Sequence, residues 1–437
     1  MTGVTAADRA AVAPSAPADL AAAAITLARR LAADVVPDET GAPHWIGDEV
    51  DVRADAGGAV LRRGPVDDGL LTGRAGIALA LAAAAEHVGD DALAALAAAT
   101  MTAALAARRR PERHGLGWQS GDLGIAVAAA RVAAAIDRPD LDREGRRLAS
   151  RAVALLATAD DGWLPGYPDL LDGSAGHLLA VLAADLPGAA EAYRTAAARR
   201  LVRDLRARAV IDDVGARWPM AAGERAVTGL AHGSTGIGLA LAAARQAGVP
   251  GASAWLVEAA WRWEDAWYSA DDDGWYDLRL EEPAVGLAWC HGAPGIGIGA
   301  ALRSHLGDRD GEETYLRTLR SVGTAGAMLG DGDATLCHGR SGIVELHLAG
   351  AEASWGADAA TRAEHVRAAR AAAAGIAAGV RPDGTTTWCH GVRGGHSPVV
   401  LDGTAGVVLT LLRCVAPVAA VAQPPLRAAA ASPATAV

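Results

Sequence analysis

Apolar residues run along the chain in two textures. Seven stretches are hydrophobic at almost every position, as in Ile77-Ala78-Leu79-Ala80-Leu81 and Ile237-Gly238-Leu239-Ala240-Leu241, which predicts helices buried on most faces. Between them lie amphipathic segments, among them Leu141 to Leu156, Glu191 to Ala209 and Thr361 to Ala378. Their arginines and acids are spaced to leave one helix face wet. Asp161-Gly162-Trp163, Asp273-Gly274-Trp275 and Asp383-Gly384 separate the two kinds, each pairing an acceptor side chain with a glycine free to take positive φ.

Every fully apolar stretch begins at a G-x-x-G step: Gly73 to Gly76, Gly121 to Gly124, Gly173 to Gly176, Gly233 to Gly236, Gly292 to Gly295, Gly339 to Gly342 and Gly403 to Gly406. Successive copies lie roughly 47 to 64 residues apart, room for two helices and two connections. A buried inner helix and a half-wet outer helix, repeated in this way, close into a double ring that leaves no terminal repeat exposed. The expected fold is therefore all-α, an α/α toroid of seven inner and about seven outer helices over 66–415. The glycines are expected to permit close helix approach and to leave free N–H groups at the inner-helix starts, which then line one rim. Residues 1–65, with a helical Leu20 to Ala33, read as a partly disordered lead-in to the ring; 416–437, rich in alanine and proline, read as a disordered tail.

Composition narrows the chemistry. The 437 residues are 51% hydrophobic, enough for a large core, and the abundance of alanine favours helices. With no lysine in the chain, a phosphate-cradling Walker loop and a pyridoxal Schiff base are both excluded. A net charge of −11 disfavours a nucleic-acid surface, and Arg108-Arg109-Arg110 reads as a solvated helix end. Met1 to Leu20 lacks the pattern of a secretory signal, and no stretch of about 18 to 20 apolar residues suits a bilayer span, so the expected compartment is the cytoplasm. Three of the four cysteines fall in Cys-His-Gly steps, poor material for disulfides and good material for reduced metal ligands.

Cys290-His291-Gly292 and Cys337-His338-Gly339 open two consecutive inner helices. Zinc favours thiolate and imidazole, and a catalytic site uses three protein ligands with a fourth position open. Cys290, Cys337 and His338 supply such a set, and helix N-termini stabilise the thiolates. One cysteine alone reads as a small buried hydrophobe; two in register argue for a metal. Trp388-Cys389-His390-Gly391 repeats the motif but lies too close to Gly403 to start another unit, so Cys389 and His390 read as loop residues that are an alternative ligand, site lining or structural. Cys414 reads as core.

From about Gly69 to Leu412 the chain resembles the lanthionine synthetase C-like family, the lanthipeptide cyclases, through its seven G-x-x-G steps, Trp289-Cys290-His291-Gly292-Ala293-Pro294-Gly295-Ile296 and Leu336-Cys337-His338-Gly339. The resemblance implies a toroid with one zinc at its mouth on Cys290, Cys337 and His338. It also implies a general acid at His232, in Ala231-His232-Gly233, and a functional Asp169 ahead of Gly173, to accept the thiol proton or hold substrate; His291 stands as a reserve acid. The implied reaction adds a peptide cysteine thiol to dehydroalanine or dehydrobutyrine, closing a thioether ring. Implied partners are a dehydrated precursor peptide with a leader, a separate dehydratase and an exporter, with no nucleic acid. Some relatives place an arginine four residues before the first cysteine ligand; this chain has Gly286, and Arg279 is nearby but out of register. The competing readings are a glutathione-adding or prenyltransferase-like zinc enzyme, and a non-catalytic scaffold for the precursor peptide.

Overall fold

The computed structural model describes residues 16–51, 60–109, 111–112, 115–186, 188–221, 224–282, 284–308, 310–325, 332–355, 358–391, 395–418 and 420–426. Each G-x-x-G step starts an inner helix: α2 (Arg74–Val88), α4 (Asp122–Ala135), α6 (Ser174–Ala183), α8 (Ser234–Gln246), α10 (Ala293–Ser304), α12 (Arg340–Glu352) and α14 (Thr404–Arg413). Six of the outer partners follow their inner helix: α3 (Asp91–Ala107), α5 (Pro139–Thr158), α7 (Glu191–Arg208), α9 (Ala254–Asp265), α11 (Gly311–Ala325) and α13 (Ala359–Ala378). The seventh comes from the other end of the chain. Helix α1 (Pro17–Ala33) packs on α14, and α14 packs on α2, which closes both layers. The segment expected as a lead-in thus belongs to the ring itself.

Burial follows the two textures. In α2 every residue from Arg74 to Ala85 is buried, whereas α5 buries only Leu141, Gly145, Leu148, Ala149, Ala152, Val153 and Leu156, one stripe at helical spacing. Among the described residues, nine short strands lie in the connections that lead to inner helices: β1 (Val36–Pro37), β2 (Pro43–His44), β3 (Ile46–Asp51), β4 (Val60–Pro65), β5 (Val210–Ile211), β6 (Ala216–Arg217), β7 (Tyr268–Ser269), β8 (Gly274–Asp277) and β9 (Ala284–Val285). All pair antiparallel, as three two-stranded ribbons and the sheet β7-β8-β9.

Three local expectations change. Inner-helix N–H groups are not left free: in α2 those of Arg74, Ala75 and Gly76 bond to the carbonyls of Asp67, Asp68 and Gly69, and in α14 those of Thr404, Ala405 and Gly406 bond to Ser397, Pro398 and Val399. The loop folds back over the helix start and takes up the first-turn donors that side chains cap elsewhere, as Asp90 does in α3 and Asp358 in α13. Arg108 is no solvated cation. It reaches from the end of α3 to the buried Asp122 at 2.7 Å, and Arg151 joins from α5 at 3.0 Å; Arg110 lies outside the described residues. In the Asp273-Gly274 turn the positive φ, 51°, falls on Asp273.

The close folding of loop on helix explains the second glycine of each step. A Cβ there would lie 1.8 to 2.9 Å from the carbonyl oxygen six residues earlier in all seven copies, so the glycines serve loop-to-helix contact more than the helix-to-helix contact expected. The same loops are stitched to one another. Main-chain N–H groups donate across neighbouring units from Leu71 to Gln119 (3.0 Å), Gln119 to Leu171 (3.4 Å), Leu170 to Ala231 (2.9 Å), Ala231 to Cys290 (3.1 Å), Trp289 to Cys337 (2.7 Å), Cys337 to Leu401 (2.9 Å) and Leu401 back to Leu71 (2.9 Å). The belt closes on itself around the rim.

Part of the expected tail also has a place. Val421 and Ala422 are buried, the Ala422 carbonyl accepts from the Trp289 indole at 2.9 Å, and the Ala420 carbonyl accepts from Arg131 at 3.0 Å. Apolar side chains and satisfied carbonyls let this segment pack inside the ring; 427–437 lie outside the described residues.

Gly124→Ala, whose Cβ would meet the Trp118 carbonyl at 1.8 Å, is expected to cost roughly 3 kcal/mol or more in urea unfolding. Gly64→Ala, with open space at its Cβ, is the control. Equal midpoints for the two variants would contradict the loop-on-helix packing.

Candidate metal centre

The repeat register decides which side chains meet at the rim. The residue just before each first glycine is Thr72, Ser120, Asp172, His232, His291, His338 or Asp402, and the one before that is Leu71, Gln119, Leu171, Ala231, Cys290, Cys337 or Leu401. The carbonyls of the second set accept every bond of the belt, so its side chains are held at equivalent places in neighbouring loops. Two of them are the cysteines.

Sulfur and nitrogen converge between the fifth and sixth units. The donor atoms of Cys290, Cys337 and His338 all lie within 4.8 Å of one another, with His338 Nε2 at 3.5 Å from Cys290 Sγ and 3.9 Å from Cys337 Sγ. A tetrahedral zinc with bonds of about 2.0 to 2.3 Å needs donors roughly 3.5 to 3.8 Å apart, so the set fits zinc with small adjustments. The cysteines are buried and the His338 side chain is 40% exposed, which leaves the solvent side open. Asp402, from the seventh unit, holds His338 Nδ1 at 3.2 Å. That carboxylate fixes the ring with Nε2 turned to the sulfurs, the usual outer-shell support of a metal-binding histidine.

The charge balance suits a cation. Hydrogen bonding from the Cys337 thiol, helped by His338, draws Cys290 well below the ordinary thiol range against the effect of burial. Cys337 is pushed well above it by the adjoining Cys290 and by burial. His338 rises to about 10, chiefly through Asp402 and then Cys290. One thiolate is thus easily formed, and a divalent ion supplies what the second needs.

Beside this cluster stands a second one. His232 Nδ1 bonds to Asp169 Oδ2 at 2.6 Å, across two units; Asp169 is buried, and the His232 side chain is 31% exposed. The His232 ring stacks on His291 with centroids 5.1 Å apart. His291 is buried, its Nδ1 is engaged by the Thr228 carbonyl at 3.0 Å, and burial above all lowers its pKa to about 4. One carboxylate oxygen of Asp169 is thus engaged by the His232 ring.

Arg279, between β8 and β9, is held by Asp277 at 2.6 Å and stays 45% exposed. Its charge is felt at Cys290, Cys337 and His291. At Gly286 an added Cβ would lie 2.2 Å from the His291 carbonyl, so no side chain fits there, and Arg279 brings a cation to the same neighbourhood by another route.

Other candidates fall elsewhere. The exposed Cys389 is outside the metal-capable group, and its backbone N–H bonds to Gly332. His390 is clamped between Thr386 (2.6 Å) and Thr404 (2.7 Å), a structural setting. Cys414 is buried, and burial raises it to about 12.

Four supporting residues were not singled out from sequence. Asp402 was legible in principle, standing in the same register as His338. Asp172, bonded to Ser120 Oγ at 3.0 Å and raised to about 6 mainly by burial, shares that register. Glu264 carries no sequence signal. It reaches from α9 to the N–H groups of Gly229 (2.6 Å) and Thr235 (2.9 Å), replacing the loop carbonyls in the unit that holds His232, and burial raises it to about 8. Gly229 takes φ 112°, a conformation that side chains rarely adopt. Asp277, likewise, is visible only once the β8–β9 turn is placed.

Among comparisons with known proteins, the family profile described as lanthionine synthetase C-like protein matches residues 64–424. A search of curated proteins finds no sequence match. Among solved structures, nisin cyclase aligns over 79% of this chain and 88% of its own, at 19% identity and a TM-score of 0.54. This likeness bears on the fold. An unsaturated glucuronyl hydrolase from Bacillus sp. GL1 (17% identity, 94% and 100% covered, TM-score 0.43) and the GH76A α-1,6-mannanase from Salegentibacter sp. HEL1_6 (10% identity, 91% and 98% covered, TM-score 0.43) align more loosely.

Elemental analysis after dialysis against zinc is expected to find about one ion per chain, lost in Cys290→Ala and Cys337→Ala and kept in Cys389→Ala. Asp402→Asn should weaken zinc binding roughly 10- to 100-fold. Zinc retained without Cys290, or lost with Cys389, would contradict the three-donor site.

Proposed function

The chain belongs to the lanthionine synthetase C-like family, and from that premise we propose that it is a zinc-dependent lanthipeptide cyclase. The observation that carries the proposal is the convergence of Cys290, Cys337 and His338 on a half-open rim, with the His232–Asp169 pair beside them. Zinc, when bound, supplies a site where a peptide thiol loses its proton at neutral pH while its sulfur stays nucleophilic.

The chain's own residues provide the rest. In the reaction the substrate sulfur bonds to the β-carbon of dehydroalanine or dehydrobutyrine, and the double-bond electrons move to the α-carbon and its carbonyl. A proton then returns to the α-carbon, so the peptide gains a thioether without a change of mass. His232 is placed to deliver that proton. With Nδ1 held by Asp169, its Nε2 is the free nitrogen, and it is the more exposed of the two stacked histidines. His291, buried and tied to Thr228, serves as the wall against which His232 stacks. Arg279, steadied by Asp277, is available to the carbonyl oxygen on which negative charge develops.

The substrate is a precursor peptide with a leader, dehydrated beforehand by a separate enzyme, since nothing in this addition forms the dehydroamino acids. Among the described residues no helix is long and apolar enough to cross a membrane, in keeping with a cytoplasmic enzyme that meets an exporter only peripherally.

A dehydrated precursor incubated with the zinc-loaded protein should lose its alkylatable thiols, followed as the mass added by a thiol reagent. His232→Ala is expected to slow that loss by a factor of about 100 or more with zinc content unchanged, and Asp169→Asn to slow it less. Ring closure at the normal rate by His232→Ala would remove that residue from the mechanism; no closure by the zinc-loaded parent protein would count against the cyclase reading.

A further inference from the structure

The inner helices start at the metal-bearing rim, and a chamber lies toward the other end of several of them. Helix α6 has ten residues against fourteen in α4, and where α6 stops a cavity of about 730 Å³ opens between α4, α5, the end of α10 and the inserted segment 420–426. Its walls are mainly aliphatic, with Leu123, Val127, Leu306 and Leu426 among them. The volume lies in the range of small-molecule sites.

Among the described residues, one charge in this chamber lacks a counter-ion. Arg131 projects from α4 into the lining, and among the described residues its hydrogen bond goes to the Ala420 carbonyl. Among the described residues it forms no ion pair. The neighbouring charges are already committed. Arg146 is paired with Asp142 and Asp185, while Arg413 is paired with Glu345 and Glu352. Burial and the like charge of Arg413 lower Arg131 to about 10, which still leaves a cation at neutral pH. A half-buried guanidinium without an anion is disfavoured, and a carboxylate that meets its planar fork relieves the cost.

We propose that this chamber is a second ligand site, which takes a small amphipathic carboxylate with its head on Arg131 and its aliphatic body along α4 and Leu306. The site is separate from the metal centre and does not depend on the cyclase reading.

The test is calorimetric titration of the full-length, zinc-loaded protein with decanoate below its micelle concentration, with decan-1-ol as the uncharged comparator. Saturable binding near one per chain is expected, at least tenfold tighter for decanoate than for the alcohol. Arg131→Gln should remove that preference. Ala130→Trp, which fills the exposed lining position beside Arg131, should abolish binding of both; far-UV dichroism and zinc content report whether either variant is folded. An N-acetylated aliphatic tripeptide, with its C-terminus free or amidated, shows whether a peptide carboxylate fits as well as a fatty one. Equal affinity for acid and alcohol, undiminished binding to a folded Ala130→Trp, or no binding of any carboxylate probe would overturn the proposal.

Discussion

Each loop ahead of an inner helix is tied to the next by one main-chain hydrogen bond, and because the seventh loop is tied back to the first, no loop can move outward alone. A single such bond contributes only about 1 kcal/mol net. Closure matters more than the sum, since a displaced loop strains bonds on both sides and lifts off its own helix start. Cys290 and Cys337 are themselves links in this belt. The spacing of the two sulfurs therefore follows from main-chain geometry, and the side chains need little further ordering to meet an ion.

Charge is distributed around this frame in three ways. Structural acids and bases are paired across helices, as in Arg108–Asp122–Arg151 between α3, α4 and α5 and Glu345–Arg413 between α12 and α14. At the rim, pairs run between units and aim a ring nitrogen: Asp402 turns His338 toward the sulfurs, and Asp169 holds His232. At the far end Arg131 meets, among the described residues, a carbonyl and no acid. The rim groups act through direction and the Arg131 chamber through an unmet charge, which is why both stand apart from the structural pairs.

Much of this was legible because the chain repeats itself. A G-x-x-G step ahead of an all-apolar run marks a helix start wherever it occurs, so seven copies predicted both the ring and the rim where Cys290, Cys337 and His338 converge. What sequence reading missed depends on contacts between distant segments. Nothing local in Leu20 to Ala33 says that it completes the outer layer against α14, and nothing in 420–426 says that its carbonyls will meet Trp289 and Arg131. Glu264 lies on an outer helix with no special spacing. Arg279 stands on the β8–β9 connection, where its charge bears on His291, while the in-register position, Gly286, is closed by the His291 backbone. The role of the glycines is illegible for a related reason: helix packing and loop folding both exclude a side chain, and only the folded chain shows which neighbour does so.

The uniform distance from each accepting belt carbonyl to its helix start has a consequence for how such a protein changes over time. Outer helices range from 12 to 20 residues and the connections differ freely, yet the two positions before each first glycine keep their place in all seven units. They behave as fourteen numbered sockets on a rigid wheel, where one codon change swaps a side chain without moving its neighbours. Thr72, Ser120 and Gln119 occupy sockets equivalent to those of His338 and Cys290. A donor set could migrate one unit round the wheel by point substitution, and the same scaffold could carry a new centre facing the old one before the old one was lost.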